Sequence, residues 1–503
     1  MKGKLDELLG ADVRALAVLR IGLALIILVD LAQRSTDLVA HYTDFGVLPR
    51  ADLLAVNPSR WLVSIHLMSG VWQVQALLFA AAAICAFALL VGYRTRLATF
   101  ASWLLFTSLN TRNPVVVLGA DVLIRVVLFW AMFLPLGARC SVDSAVLRSP
   151  EPGGPRILSA ASAAYLVQMV LVYVFTALRK SDPEWRTEGT ALYYALSLEH
   201  LTTPLGQWLL QFPALLRTLT YGVFSLEALA PVLLFCPLFT GSIRVVTVLG
   251  FVLMHAGIYL TLRIGLFPWI AALSLVVFLP SWMWDRWLDP ARPFQVALRL
   301  LRVSRLWEAG QAFMAEQRGR ASSAGAVKPM SGAGAAKSAV VGITVAGLLF
   351  YVLLWNISAL ASPRFRLPEP VRSVGYLLRL DQTWSMFAPS PLKDEGWYVI
   401  PGRLRNGQTV DLFRDGGQVR WDRPPSIADT YRNARWRRYM MLLTDQLEYA
   451  PGFARYLCAK WNRTHDAARR LEDLEIVFVV ERTLPDYRRA EPRRVLLFRQ
   501  TCT

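Results

Sequence analysis

Runs of about 20 predominantly apolar residues recur along this chain, and a run of that length matches the thickness of a bilayer's hydrocarbon core. Lipid offers the backbone no hydrogen-bond partners, so such segments must be helices or a closed barrel, and these are too long for barrel strands. Nine candidate spans stand out, at Ala15 to Ala32, Trp72 to Val91, Leu97 to Leu109, Val115 to Leu136, Leu158 to Leu178, Leu219 to Phe239, Ile243 to Leu262, Phe267 to Trp284 and Ala339 to Leu360. With 55% hydrophobic residues among 503, the chain belongs to the membrane class and not to the soluble enzymes. The expected fold is an all-α polytopic membrane bundle of about nine transmembrane helices with a small C-terminal soluble α+β domain.

A formal charge of +18 would suit nucleic acid, but the basic residues sit between the apolar runs, which is how membrane orientation is encoded. No nucleic-acid partner is expected; the bilayer is. Placing the N-terminus in the cytoplasm puts Lys2, Lys4, Arg14, Arg94, Arg96, Arg139, Arg148 and Arg156 inside, as the positive-inside rule prefers. The expected organisation is a helical membrane domain over 1–285 and a basic cytoplasmic segment with an Ala/Gly/Ser linker over 286–337. A final transmembrane helix over 338–361 and an extracytoplasmic domain over 362–503 follow. The protein is thus expected to be multi-pass in a cell membrane, a bacterial inner membrane by the resemblance described below. The orientation depends on the short third run being a true crossing. Met1 to Arg14 carries Asp6, Glu7 and Asp12 and no small-residue cleavage pattern, so a retained N-terminus is expected.

Past Ser362 there is no further run of membrane length. Trp397 to Leu404 and Thr409 to Phe413 flank Asn406-Gly407, a hairpin signal, while Glu475 to Val480 and Arg494 to Phe498 have strand character. Tyr439 to Leu447 and Phe453 to Asn462 are expected to be helical. Cys458 and Cys502, the only cysteines of this tail, are free to pair in an oxidising compartment or to remain apart. Asn433-Ala434-Arg435-Trp436-Arg437-Arg438-Tyr439 is dense in aromatic and basic residues, which suits anionic headgroups, an acidic partner or a solvated basic helix start. Five cysteines and five histidines with no ligand spacing leave little to build a zinc or haem site from, and no metal is expected.

Charge inside hydrocarbon is expensive and should face the bundle interior. Arg20 and Asp30 interrupt the first run, Asp121 and Arg125 the fourth, and Glu227 and His255 the sixth and seventh. Asp121 and Arg125, four apart on one helix face, are expected to pair. For Arg20, Asp30 and Glu227, interhelical pairing, satisfaction of backbone groups and a role in a site all remain open. His255 is a lone histidine on an apolar face, so either a satisfied core group or part of a polar intramembrane cavity. Lys180 directly follows the fifth run, where a partly desolvated ammonium tends to become a neutral amine and hence a base; the alternative is that it snorkels to the headgroups.

Around these residues the chain resembles the bacterial members of the HTTM (horizontally transferred transmembrane) group, whose membrane domain is shared with vitamin K-dependent gamma-carboxylase. The resemblance spans roughly Ala15 to Trp287. It rests on Tyr42 with Asp44-Phe45-Gly46-Val47-Leu48-Pro49, Gly92-Tyr93-Arg94, Ser141-Val142-Asp143, and Met254-His255 followed by Arg263-Ile264-Gly265-Leu266-Phe267. Most specific is Arg179-Lys180-Ser181-Asp182-Pro183-Glu184-Trp185 with Glu188-Gly189. The resemblance implies Lys180 as a catalytic base that takes a proton from a reduced, vitamin K-like quinone, after which oxygen turns the quinol into a strong base. That base abstracts a γ-hydrogen from a peptidyl glutamate, and carbon dioxide adds. His255 and Asp121 would shape the catalytic site, with Arg20, Asp30, Trp185, Glu188, Glu227 and Arg263 lining the cavity.

Two departures weigh against true glutamate carboxylation. The histidine that assists the carboxylase lysine aligns with Pro114 here, which has no titratable side chain, and the tail beyond Ser362 does not resemble the carboxylase's substrate-capturing region. Two functions are therefore expected in competition. One is a quinol-coupled enzyme with a lysine base in an outward-facing cavity, acting on a protein substrate. The other is a non-catalytic membrane assembly protein that holds a lipid or quinone and a protein partner.

Overall fold

A computed structural model of the chain describes residues 2–57, 61, 63–147, 155–286, 332–362, 364–485 and 487–502; the basic segment and linker expected at 286–337 fall almost wholly outside the described residues. Its long helices are α1 (Val13–Ser35), α2 (Trp72–Val91), α3 (Thr95–Arg112), α4 (Gly119–Ala131), α5 (Ala160–Arg179), α6 (Pro213–Leu234), α7 (Thr240–Thr261), α8 (Phe267–Ser274) and α9 (Gly332–Ala361). Five of them, α1, α2, α5, α7 and α9, are long and apolar enough to cross a membrane; nine crossings are not established. Leu77, Ile84 and Phe87 of α2, Val246, Leu249 and Leu253 of α7, and Val340, Ile343 and Phe350 of α9 all point outward, as lipid-facing positions do. Helix α5 is instead largely enclosed, and so is α3. That burial is why α3 tolerates a polar sequence: Thr99, Thr107 and Thr111 donate to carbonyls four residues back and need no water.

The fourth run is shorter as a helix than its apolar length suggests. Pro114 opens a single 3₁₀ turn over Pro114–Val116, and α4 starts only at Gly119. Asp121 sits in its first turn and accepts from the Leu118 N–H at 2.7 Å, where a carboxylate complements both the unpaired amides and the helix dipole.

Two family-like motifs turn out to build one turn. Gly92 ends α2 in the left-handed region at φ 71°, and a β-carbon there would lie 2.4 Å from Arg20 Nη1 and 2.3 Å from Ser141 Cβ. Arg20 Nη1 uses that space to donate to the last carbonyls of α2, Leu89 and Leu90, at 2.9 and 2.7 Å, and its Nη2 donates to the Cys140 carbonyl. Asp143 accepts from the Arg94 and Thr95 amides at the start of α3. Arg20 is therefore a cap for backbone carbonyls at one end of the bundle.

Beyond α9, the amphipathic helix α10 (Glu369–Leu378) folds back against α9, and the chain then enters the C-terminal domain. This domain holds α11 (Ala434–Leu443) and α12 (Ala450–Thr464) and an antiparallel sheet of β1 (Asp394–Val399), β2 (Pro401–Leu404), β3 (Thr409–Asp411), β4 (Leu471–Arg482) and β5 (Arg493–Thr501). The long β4 is central: β1 and β2 lie end to end along one side of it, β5 along the other, and β3 pairs with β2. Gly407, at φ 83°, makes the expected hairpin turn between β2 and β3. Cys458 of α12 and Cys502 are joined by a disulfide, with Cα atoms 5.5 Å apart.

Candidate functional site

Helix α5 is capped at its start by Ser159, whose hydroxyl accepts from the Ser162 amide. It ends at Lys180, and Asp182, the residue before Pro183, is extended as a residue preceding proline tends to be. The Lys180 side chain folds inward: the residue is 2% exposed, its Nζ lies 2.5 Å from Glu227 Oε2, and the Trp185 indole covers it at 4.0 Å from ring centroid to Nζ. Trp185 is itself fixed by donating to the Phe387 carbonyl at 2.8 Å. Glu227 sits on α6 four residues before Pro231, which has no N–H to offer the Glu227 carbonyl, so the helix is weakened at the residue that meets the lysine. Burial pushes the Lys180 ammonium below the usual lysine range, and the neighbouring Glu227 offsets this only in part.

Two turns deeper on α5, the Tyr173 hydroxyl meets His255 Nε2 of α7 at 3.1 Å. The rise between Tyr173 and Lys180 is about 10 Å along the helix. The His255 ring stacks on Phe251 and meets Phe267 edge-on. Its Nδ1 is buried with no hydrogen-bond partner among the described residues. Lys180, Glu227, Trp185 and, further in, Tyr173 and His255 thus lie along one buried path. Glu188 does not join them: it is exposed and accepts from the Thr190 hydroxyl. Glu184, four residues earlier and given no role by the sequence beyond its place in the motif, is buried and holds Lys393 of the C-terminal domain at 2.5 Å.

Asp30 and Asp121 belong to a separate buried centre. Arg34 donates to Asp30 at 2.6 Å, to Asp121 at 2.7 Å, and to Tyr42 and Asn110 at 2.9 Å each. Arg435 of α11 closes the array, reaching Asp121 at 2.9 Å, Asp30 at 2.5 Å and the Val116 carbonyl at 2.8 Å. Two carboxylates and two guanidinium groups balance, and both oxygens of each carboxylate accept from an arginine. The expected pair of Asp121 with Arg125 does not form: the two arginines arriving from α1 and α11 take both oxygens of Asp121, and Arg125 turns to Asp381. Arg34 and Arg435 were missed as partners. Arg34 lies just beyond the first apolar run, and Arg435 lies more than 300 residues from Asp121; no local spacing links them. Arg263 pairs with Asp429 at 2.6 Å on the surface, and its carbonyl accepts from Arg437. Pro114 opens the turn beside α11, next to this array.

The HTTM domain model matches residues 10–282, more than half of the chain. The chain belongs to the HTTM domain family. With its apolar helices, this makes it a membrane protein of the HTTM group. No curated protein and no solved structure gives a significant match. Within the HTTM domain, the motifs divide by role: Gly92, Ser141 and Asp143 shape a turn, Arg263 meets the C-terminal domain, and Lys180 and His255 mark the buried path. Among the described residues, no group of three metal-ligating side chains gathers.

Proposed function

We propose that this HTTM protein is a membrane enzyme in which the free amine of Lys180 takes a proton from an acidic hydroxyl of a lipid-soluble substrate, a reduced quinone by family resemblance. The observation that carries this is the burial of Lys180 Nζ against Glu227 beneath Trp185. A charge-separated pair loses its hydration there, so a proton moves between amine and carboxyl at little cost, and the amine becomes available as a base. Glu227 accepts or returns the proton; Trp185 excludes water; Tyr173 orients His255. The residues present suit a quinol: the unpartnered His255 Nδ1 offers a hydrogen bond to its oxygen, and Phe251, Phe267 and Trp185 offer aromatic faces. When bound, a quinol would supply the acidic hydroxyl and the reducing electrons. Glu184, Glu199 and Arg263 place the C-terminal domain over this end of the bundle, where a protein substrate or partner would be presented.

A nine-crossing topology fits the contacts. The ends of α1, α3, α5, α7 and α9 lie at the face carrying the C-terminal domain. At the other face Arg156 donates to the Asp6 and Gly10 carbonyls, Arg244 to Glu7 and Leu8, and Arg14 pairs with Asp285. That second face also carries Arg94, Arg96 and Arg139, so the positive-inside rule makes it cytoplasmic. The Cys458–Cys502 disulfide suits an oxidising compartment on the opposite side.

A second reading is supported by Arg435, whose insertion between Asp30 and Asp121 locks the C-terminal domain to the bundle, as an assembly protein holding a lipid or quinone would require. Mass spectrometry of quinones co-purifying in mild detergent separates the two only beside quinol consumption by the wild type and Lys180→Ala, because both readings allow a bound quinone and only the enzyme consumes one. The enzyme reading expects a quinone in the wild type that His255→Ala depletes. A quinone content untouched by His255→Ala and Lys180→Ala, in protein whose function is lost only on deleting the tail from Ser362, would leave the assembly reading standing.

A further inference from the structure

A second site lies where α5, α9 and α10 meet, on the face that carries the C-terminal domain. It is a cleft of about 440 Å³ lined by Arg179, Arg366 and Arg372 together with Ser358, Thr383 and Trp355. Three guanidinium groups line it against little negative charge: Arg372 meets Glu369 at 3.5 Å and donates to the Tyr376 hydroxyl, Arg179 donates to the Ala359 carbonyl, and Arg366 has no ion-pair partner among the described residues. Three arginines lining one cleft, one of them paired with a carboxylate, together with neighbouring hydroxyls match the chemistry of a phosphate ester.

The depth of the cleft says which kind of ester. Helix α10 does not lie above the end of α9 but folds back along it: the Tyr351 hydroxyl donates to the Val371 carbonyl at 2.8 Å, and a β-carbon on Gly375 would meet the Tyr351 hydroxyl at 2.5 Å and the Trp355 ring at 2.6 Å. Tyr351 is ten residues before the end of α9 at Ala361, about 15 Å along the axis, so α10 lies at the depth of headgroups and upper acyl chains. Its outward stripe is apolar, with Val374 and Leu377 exposed, and Phe365 is exposed in the preceding loop. A basic cleft above an apolar, lipid-facing stripe is the arrangement of an interfacial helix that reads headgroups. We propose that this cleft binds the phosphate of an anionic phospholipid whose acyl chains lie along Val374 and Leu377.

The test uses the full-length protein, delipidated in detergent and given dioleoylphosphatidylglycerol, with bound lipid counted by native mass spectrometry. The double variant Arg366→Ala/Arg372→Ala should lower occupancy about tenfold, the order of magnitude for losing two charge-assisted contacts. Arg366→Lys/Arg372→Lys should retain part of it, and Arg405→Ala, an exposed arginine of the C-terminal domain, should retain all of it. Thermal unfolding of each variant confirms that it is folded. Equal occupancy in the wild type and the double alanine variant overturns the site, and displacement of the lipid by millimolar inorganic phosphate overturns its assignment to a lipid in favour of a soluble phosphate.

Discussion

At the scale of single residues, the account turns on an ammonium that loses its water. Burial lowers the folded-state affinity of Lys180 for its proton, so the free amine is populated at lower pH than in an exposed lysine, and proton-abstracting activity rises with pH through that depressed value. The same shift costs stability below the usual lysine range, because the unfolded chain binds the proton more tightly; this cost fades as pH climbs towards that range. Glu227 pulls the lysine the other way, so Glu227→Gln should move the rising limb of the pH–rate profile to lower pH, measured on initial rates. A limb that stays in place or moves upward would show that Glu227 does not act on the base. Lys180 was legible in the sequence, since its place after an apolar run with a following Asp-Pro is local. Its partner was legible only as a charge in the wrong solvent: Glu227 announces that it must be satisfied, not by whom.

At the scale of elements, most of what the sequence displayed was periodicity and punctuation, and these carried through unevenly: the helix expected at Phe453 to Asn462 lies inside α12, whereas the one expected at Tyr439 to Leu447 runs from Ala434 to Leu443. The Asn406-Gly407 hairpin and the strands around Glu475 to Val480 and Arg494 to Phe498 match the observed elements because turn chemistry and short runs of β-branched and aromatic residues act over a few residues. The fourth apolar run misled, because hydropathy does not see that Pro114 and the capping carboxylate of Asp121 delay the helix start to Gly119. The Gly92 turn shows how an element boundary serves a distant side chain. Gly92→Ala would combine a left-handed backbone with a β-carbon 2.4 Å from Arg20 Nη1, and displacing that guanidinium uncaps the end of α2. Thermal unfolding in detergent should show a loss of roughly 1–3 kcal/mol, whereas an unchanged midpoint would mean that Arg20 has another comfortable position.

At the scale of the molecule, the C-terminal domain and the bundle are one unit held by a buried charge array that no stretch of sequence could disclose, because its members come from α1, α4 and α11. Removing one member of such an array strands the others, so Arg435→Met should cost roughly 3–5 kcal/mol and make the segment after Ala361 more sensitive to protease. Arg263→Ala, which breaks only an exposed pair, should cost under about 1 kcal/mol. A protease pattern identical in both variants would mean that the domain is held by its other contacts. The most direct test of the central claim is oxygen-dependent consumption of an added reduced naphthoquinone by the purified protein in lipid nanodiscs, wild type against Lys180→Met. Turnover in the wild type, reduced at least about 100-fold in a folded Lys180→Met protein, is the predicted result; equal turnover by the two would contradict a catalytic role for the Lys180 amine.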